Sequence, residues 1–200
     1  MKSIILIGYM CAGKTTVGKS LAKNMGISFY DLDWYIEDRF HKRIPEIFAE
    51  KGEEGFRDIE RRMLHEAAEF EDIVLSCGGG TPCFFDNMKY MNQTGTTFYL
   101  KASPETIIAH QELSHTVRPL LQGKSGKELV EFISSQLQER SSFYEQAHHI
   151  LDVNILDSYK KINIIVSQIR QILNLENGKM ENLFLFIKNM LKVVKMLLQN

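Results

Sequence analysis

Residues 4–16 have the sequence Ile4-Ile5-Leu6-Ile7-Gly8-Tyr9-Met10-Cys11-Ala12-Gly13-Lys14-Thr15-Thr16. The aliphatic run at the start predicts a short buried strand of a parallel sheet, which ends at Gly8. From Gly8 onward the stretch matches G-x-x-x-x-G-K-[ST], the pattern of a phosphate-binding loop. Val17, Leu21 and Met25 follow at helical spacing. The motif therefore lies between a predicted strand and a predicted helix. This context favours a true phosphate-binding loop over a glycine-containing turn that matches the pattern by chance.

Each fixed position of this loop has a physical role. Gly8 and Gly13 have no Cβ, so backbone N–H groups can turn inward toward phosphate oxygens. Lys14 brings a cation to the β- and γ-phosphates, and the Thr15 hydroxyl can bind Mg²⁺. A helix that begins near Lys14 points its positive end at the same anion. We therefore predict that a nucleoside triphosphate is bound by Gly8, Cys11, Ala12, Gly13, Lys14, Thr15 and Thr16.

Composition narrows the class of protein. The 200 residues suffice for one substantial core, or for one domain with an appendage. The net charge of −1 provides no overall basic field that would attract nucleic acid, and no segment has enough consecutive apolar residues to span a membrane. Cys11, Cys77 and Cys83 are odd in number and lack zinc-type spacing, so we expect reduced thiols in a cytoplasmic protein.

Strand-like and helical segments alternate along the chain. After the first strand, further strands are predicted at 27–30, 73–76, 96–100 and 149–153. Helices are predicted after the loop and at 34–40, 44–50, 56–70, 84–91, 104–110, 127–147 and 160–175, with a break at 52–55. This alternation predicts a three-layer α/β/α fold, in which a parallel sheet carries helices on both faces.

Two carboxylates follow the second predicted strand, at the sheet edge where ligands of such folds bind. Asp31 and Asp33 can address different partners. One can hold Mg²⁺ directly or through water, and the other can accept a proton from a substrate hydroxyl. Aspartate is also a favoured N-cap residue, so for Asp33 the pattern alone leaves capping of the next helix and catalysis equally open.

Ser76 and the glycine run Gly78–Gly80 follow the third predicted strand. Ser76 occupies the place where other P-loop enzymes have an acidic partner of Mg²⁺, and its hydroxyl can contribute only through metal-bound water. The glycine run indicates either a backbone kept clear for a ligand or a loose turn.

Three arginines stand out by position, although a single arginine is ordinarily solvated. Arg57 follows the break at 52–55, and Arg140 lies near the end of a long helix. Arg118 lies in a segment with few periodic apolar residues, 111–126, which we interpret as a mobile lid.

Together these features form six motifs in a fixed order. They are Gly8–Thr15, Asp31-x-Asp33, Gly52-x-x-x-Phe56-Arg57, Gly78–Gly80, Val117-Arg118-Pro119-Leu120-Leu121 and Arg140-x-x-x-Tyr144. One motif would indicate only a P-loop protein, whereas six in this order resemble the shikimate kinase family. The resemblance covers residues 3 to about 173.

The resemblance implies an activity and its acceptor residues. Members of this family transfer the γ-phosphoryl group of ATP to the 3-hydroxyl of shikimate, in the biosynthesis of aromatic amino acids. By correspondence, Asp33 binds the ring hydroxyls and acts as the base, and Gly79 offers a backbone N–H. Arg57 and Arg140 clamp the carboxylate, for which a guanidinium fork is well suited.

The resemblance also assigns the phosphoryl and metal contacts. Lys14 and Arg118 bind ATP and act in catalysis, with Arg118 meeting charge that develops on the γ-phosphoryl group. Mg²⁺ is the implied cofactor, held at Thr15 with support from Asp31, directly or through water, and from Ser76 in its outer shell.

Two regions depart from the family pattern. Many members carry arginines near the adenine, a few residues before the Arg-Pro-Leu motif, but the interval 110–115 contains none. We therefore assign no adenine contact and expect nucleotide affinity to differ. The second departure is the extension 176–200, which lies outside the family pattern. It follows the family-like domain, 1–175, which includes a substrate-binding segment at 33–70 and the lid at 111–126.

This extension has an amphipathic helical pattern. The apolar side contains Leu183, Ile187, Met190, Leu191, Val194, Leu197 and Leu198, and the opposite side contains Lys188, Lys192 and Lys195. Such a stripe is usually buried, so we favour packing on its own core or self-association through 180–200. Docking on a membrane surface is the alternative.

Two other functions fit parts of the sequence. A gluconate kinase shares the P-loop and lid, and its substrate is also a polyhydroxy carboxylate, so the arginines alone do not exclude it. A catalytically silent nucleotide-binding module is the other alternative. It would be favoured by loss of Lys14, Asp33 or Arg118, all of which are present.

Overall fold

The computed structural model describes residues 3–113, 123–154 and 161–174. The strands are β1 (Ser3–Ile7), β2 (Ser28–Asp31), β3 (Ile73–Ser76), β4 (Gly95–Lys101) and β5 (His149–Asp152). The helices are α1 (Lys14–Met25), α2 (Leu32–Phe40), α3 (Ile44–Ala68), α4 (Asn87–Thr94), α5 (Pro104–Leu113), α6 (Gly126–Tyr144) and α7 (161–174). A 3₁₀ turn covers Thr81–Cys83.

The chain divides into two compact units, Met1–Ile162 and Asn163–Asn200. The sheet and the candidate site belong to the first unit. Most of the predicted lid, including Arg118, and the whole extension at 176–200 lie outside the described residues. No helix among the described residues is long and apolar enough to cross a membrane.

The five strands form one parallel sheet in the order β2-β3-β1-β4-β5. β1 lies at the centre, and its four aliphatic residues, 4–7, are completely buried. Burial on both faces explains why β1 is continuously aliphatic rather than alternating. The arrangement confirms the predicted parallel α/β fold.

Because the strands are parallel, their carboxyl ends meet at one edge of the sheet. Leu6 pairs with Ser76, and Ser76 pairs with Asp31, so the ends of β1, β3 and β2 lie side by side. This register brings the start of the phosphate-binding loop next to Asp31 and Ser76. It creates the crevice in which ligands of open α/β sheets bind.

The predicted break at 52–55 lies within α3, which consists of two helical parts that meet at a kink. The break is confined to Gly52, whose backbone is non-helical with φ 68° and ψ −178°. Glycine accepts this positive φ without steric cost, so the second helical part begins directly after the kink. The core side of α3 packs Ile47, Phe56, Ile59 and Leu64 into a cluster of buried hydrophobic residues.

Candidate active site

The phosphate-binding loop follows β1 and passes close to β4. Gly8 has φ 142°, and a Cβ added there would lie only 2.7 Å from the carbonyl oxygen of Leu100. Glycine is therefore required at this position for both backbone angle and space. α1 begins at Lys14, so the positive end of the helix dipole faces the loop.

Lys14 is held against the loop's own backbone. Its Nζ donates hydrogen bonds to the carbonyl oxygens of Gly8 and Tyr9, at 2.9 Å each. These contacts hold the ammonium group at the loop, beside the position that a bound triphosphate would occupy. An anionic phosphate is a stronger partner for this cation than a neutral carbonyl.

Asp31 joins the loop to the start of α2. Thr15 Oγ1 donates to Asp31 Oδ2 at 3.0 Å, and the Asp33 backbone N–H donates to Asp31 Oδ1 at 3.2 Å. Asp31 is thus the N-cap of α2, and Asp33 lies inside the first helical turn. The capping role considered for Asp33 belongs to Asp31. The hydroxyl and carboxylate oxygens of Thr15 and Asp31 form a donor set that suits Mg²⁺.

A cavity of about 560 Å³ lies at this sheet edge. It is lined by loop residues 10, 11 and 13–16 and by Asp31, Asp33, Ser76, Gly78, Gly79 and His110, among others. The structure therefore gathers residues from the loop, β2, α2 and β3 around one space. Its volume is in the range of small-molecule sites.

Arg57 projects from α3 and is fixed on several sides. Its Nη1 donates to Glu60 Oε2 at 2.9 Å, and its guanidinium carbon lies 4.0 Å from the centre of the Phe84 ring. Glu60 is only 1% exposed, and its other oxygen accepts a 2.6 Å hydrogen bond from the Thr81 hydroxyl. A buried carboxylate needs such partners, so Glu60, Arg57 and Thr81 hold one another in place.

Arg140 approaches the same region from α6. Its Nη2 donates to Gln136 Oε1 at 2.6 Å, and its guanidinium carbon lies 5.4 Å from the centre of the Tyr9 ring. One turn further along α6, the hydroxyl of buried Tyr144 donates to the Gly79 carbonyl oxygen at 2.6 Å. Burial raises the pKa of Tyr144, although nearby Arg140 opposes this shift, so its hydroxyl remains a hydrogen-bond donor at neutral pH.

The two arginines and Asp33 each lie beside a different residue of the glycine run. A Cβ added to Gly79 would lie 3.6 Å from Arg140 Nη1, and one added to Gly80 would lie 2.9 Å from Arg57 Nη2. A Cβ on Gly78 would lie 3.1 Å from Asp33 Oδ1. Three successive glycines thus border the three side chains, which favours the interpretation of a backbone kept clear for a ligand over that of a loose turn.

The three cysteines are free thiols, and Cys83 is close enough to Arg140 and Arg57 for their charges to act on it. Burial raises the pKa of its thiol, and the positive charges of Arg140 and Arg57 act in the opposite direction. The thiol is therefore predominantly protonated at neutral pH. It provides no negative charge that would compete with an acidic ligand for the arginines.

Several residues of the site were not identified from sequence. Glu60 could have been suggested by its position three residues after Arg57 on one helix, because such neighbours touch. Tyr144 belongs to a recognised motif, but its bond to Gly79 joins positions 65 residues apart. His110 Nδ1 lies 2.8 Å from the Cys11 carbonyl oxygen, a contact across 99 positions that no local pattern indicates.

Comparisons with known proteins address the whole domain. A family model described as shikimate kinase matches residues 10–173. The shikimate kinase of Bacteroides fragilis is 51% identical over 175 residues, which cover 88% of this chain and 98% of that protein. That of Parabacteroides distasonis is 53% identical over 173 residues, covering 86% and 100%.

Solved structures agree with these relatives. The crystal structure of shikimate kinase from Bacteroides thetaiotaomicron superimposes with a TM-score of 0.83 at 47% identity, covering 86% of this chain and 98% of that one. Shikimate kinase from Acinetobacter baumannii in complex with shikimate has a TM-score of 0.75 at 32% identity, covering 88% and 94%. The comparisons confirm the resemblance carried by the six sequence motifs.

Proposed function

The chain belongs to the shikimate kinase family, and we propose how its residues transfer the γ-phosphoryl group of ATP to the 3-hydroxyl of shikimate. The observation that supports the proposal is that the side chains of Asp33, Arg140 and Arg57 each lie beside one residue of the glycine run 78–80, next to the phosphate-binding loop. One base and two guanidinium groups match an acceptor that carries hydroxyls and a carboxylate. The alternatives of a gluconate kinase and a silent nucleotide-binding module are not favoured.

At the nucleotide end, the loop amides and Lys14 bind the phosphates. Thr15 and Asp31 would hold Mg²⁺, with Asp31 acting directly or through water and Ser76 orienting metal-bound water. When bound, this ion neutralises charge on the β- and γ-phosphate oxygens. On binding ATP, Lys14 exchanges its bonds to the Gly8 and Tyr9 carbonyls for phosphate oxygens, which strengthens its interaction because the new partner is charged.

At the acceptor end, Asp33 orients the attacking hydroxyl and accepts its proton. Asp31 is the N-cap of α2, and the Asp33 carboxylate lies beside Gly78 and lines the cavity. Arg57 and Arg140 bind the carboxylate of shikimate, and the Gly79 N–H contacts the acceptor. Glu60 and Phe84 hold the Arg57 guanidinium in position before the acceptor arrives, which reduces the entropy lost on binding.

Arg118 completes the proposed site, although it lies outside the described residues. Its motif position in the predicted lid supports a role at the γ-phosphoryl group. A guanidinium that reaches this group on lid closure stabilises charge in the transition state more than in the ground state. Arg118→Ala should therefore lower kcat more than it weakens the binding of ATP or shikimate.

A coupled assay of ADP release tests the substrate assignment. Purified full-length protein is incubated with ATP and Mg²⁺, and with shikimate or gluconate in parallel reactions. We expect turnover with shikimate and only background release with gluconate. Equal turnover with gluconate would contradict the assignment, and ADP release independent of either acceptor would indicate an ATPase instead. We also propose a cytoplasmic location, because the enzyme uses ATP and its cysteines are unpaired.

A further inference from the structure

Cys11 has an unusual backbone conformation within the phosphate-binding loop. Its φ is +60°, in the left-handed region that glycine adopts readily and residues with a Cβ avoid. The loop must hold this conformation while its amides surround a phosphate. A cysteine therefore strains the loop at a position where glycine would not, and the strain requires support from the surrounding structure.

His110 provides a contact at that position. Its Nδ1 lies 2.8 Å from the carbonyl oxygen of Cys11, and both residues line the cavity. A carbonyl oxygen can only accept, so Nδ1 must carry the proton in this hydrogen bond. The bond fixes the peptide unit between Cys11 and Ala12, and it ties α5 to a loop that lies 99 positions earlier in the chain.

We propose that His110 is a positioning residue that holds the strained Cys11 peptide in the conformation required for binding phosphate. The proposal rests on the nucleotide assignment described above but adds a residue outside the recognised motifs. His110 acts through the loop and need not touch the nucleotide itself. Glycine would adopt the left-handed conformation at residue 11 without support. In this chain, a side chain from another element maintains that conformation for Cys11.

The first test measures ADP binding by calorimetry, without acceptor or turnover. His110→Ala should weaken ADP binding by about 5- to 30-fold, the factor that corresponds to one residue held in the left-handed region. Binding of shikimate should be unchanged. His110→Asn should restore much of the affinity, because its amide N–H₂ can donate from nearly the same place as Nδ1. His110→Leu, which fills space but donates nothing, should not.

A double-mutant cycle tests whether strain at residue 11 is the cause. In the Cys11→Gly background the left-handed conformation costs little, so His110→Ala should weaken ADP binding by less than about threefold. An equal loss in both backgrounds would overturn the proposal, since His110 would then act independently of the strained residue. Glu112→Ala, an exposed change on the same helix, is the matched control and should leave ADP binding unaltered in both backgrounds.

Inorganic tripolyphosphate separates an effect on the loop from contact with the nucleoside. If His110 acts through the loop, His110→Ala should weaken tripolyphosphate and ADP by similar factors. A loss confined to ADP would overturn the proposal and assign His110 to the base or ribose. Nitrogen-15 NMR of labelled histidine should show Nδ1 protonated at neutral pH, and an unprotonated Nδ1 would contradict the hydrogen bond. These binding readouts remain valid even if shikimate is not the acceptor.

Discussion

The proposed contacts of the loop with phosphate come from one continuous stretch, residues 8–16, whereas the proposed acceptor-site groups come from α2, α3, the glycine run and α6. In the first region a ligand would be surrounded mainly by backbone N–H groups, whose directions follow from local φ and ψ angles. In the second it would be bound by side chains such as those of Arg57 and Arg140, which approach the glycine run only after the elements have packed. Substitutions should therefore affect the two substrates separately.

The largest difference between an effect on catalysis and an effect on nucleotide binding is expected from Asp33→Asn. The amide keeps the shape of the side chain but cannot accept the hydroxyl proton, so kcat should fall by about 10²- to 10⁴-fold. ADP binding should stay within about twofold, because the loop is intact. Stopped-flow or coupled kinetics and calorimetry measure the two quantities.

Asp38→Asn is the control for this change. It removes an exposed carboxylate from the same helix and should leave kcat unaltered. Near-normal turnover of Asp33→Asn would remove Asp33 from the role of base. Loss of ADP binding would show that the two regions are not separable at this residue.

The arginines should produce the next largest effect. Arg57→Ala and Arg140→Ala should each raise the KM for shikimate by about 10- to 150-fold, which corresponds to the loss of charged hydrogen bonds worth about 1.5–3 kcal/mol. The KM for ATP should change little. A larger effect on ATP than on shikimate would reverse the assignment of these residues.

The two arginine variants should differ in stability. Among the described residues, Arg57→Ala removes the cation bonded to buried Glu60 and leaves its hydrogen bond with the Thr81 hydroxyl, so the free energy of unfolding should fall by about 3 kcal/mol. Arg140→Ala leaves no buried carboxylate behind among the described residues and should unfold nearly like the parent. Chemical denaturation measures both. Adding Glu60→Gln to Arg57→Ala should recover stability without recovering shikimate affinity.

A smaller effect is expected from Tyr144→Phe. The change keeps the aromatic ring, whose centre lies 5.0 Å from the centre of the Tyr99 ring, but removes the hydrogen bond to the Gly79 carbonyl. The KM for shikimate should rise by about 2- to 12-fold, and that for ATP should not. Tyr99→Phe removes a neighbouring hydroxyl and is the matched control. If both variants behave alike, the bond to Gly79 does not position the acceptor site.

Removal of the extension should have the smallest catalytic effect. A chain truncated after Asn177 retains every proposed site residue, so kcat and both KM values should match those of the full chain. Analytical ultracentrifugation should show a smaller species if 180–200 mediates self-association. Co-flotation of the full chain, but not of the truncated one, with anionic liposomes would instead indicate docking on a membrane surface.

Much of the nucleotide end was predictable because its determinants are local. The aliphatic run of β1, the glycines at 8 and 13 and the helix at Lys14 follow from residue type and spacing. The parallel sheet followed from the alternation of strands and helices. The interruption of α3 was also predicted, but its length was not, because the backbone leaves the helical conformation only at Gly52 rather than over the whole interval 52–55.

Tertiary structure decided which polar groups meet. The residue pattern alone left capping and catalysis equally open for Asp33, and only the structure shows that Asp31 caps α2 and accepts a hydrogen bond from Thr15. The tertiary structure also buries the Glu60 carboxylate next to Arg57, and the helical pattern of the sequence does not indicate this burial.

The sequence by itself determined the parallel fold, the phosphate-binding loop and the identity of the chemical groups available to the site. It contained Cys11 and His110 without any sign that they touch. Backbone propensity and periodicity act over a few residues, whereas a hydrogen bond across 99 positions depends on how α5 packs against the loop. The support of a strained loop residue by a distant histidine was therefore decided only by the tertiary structure.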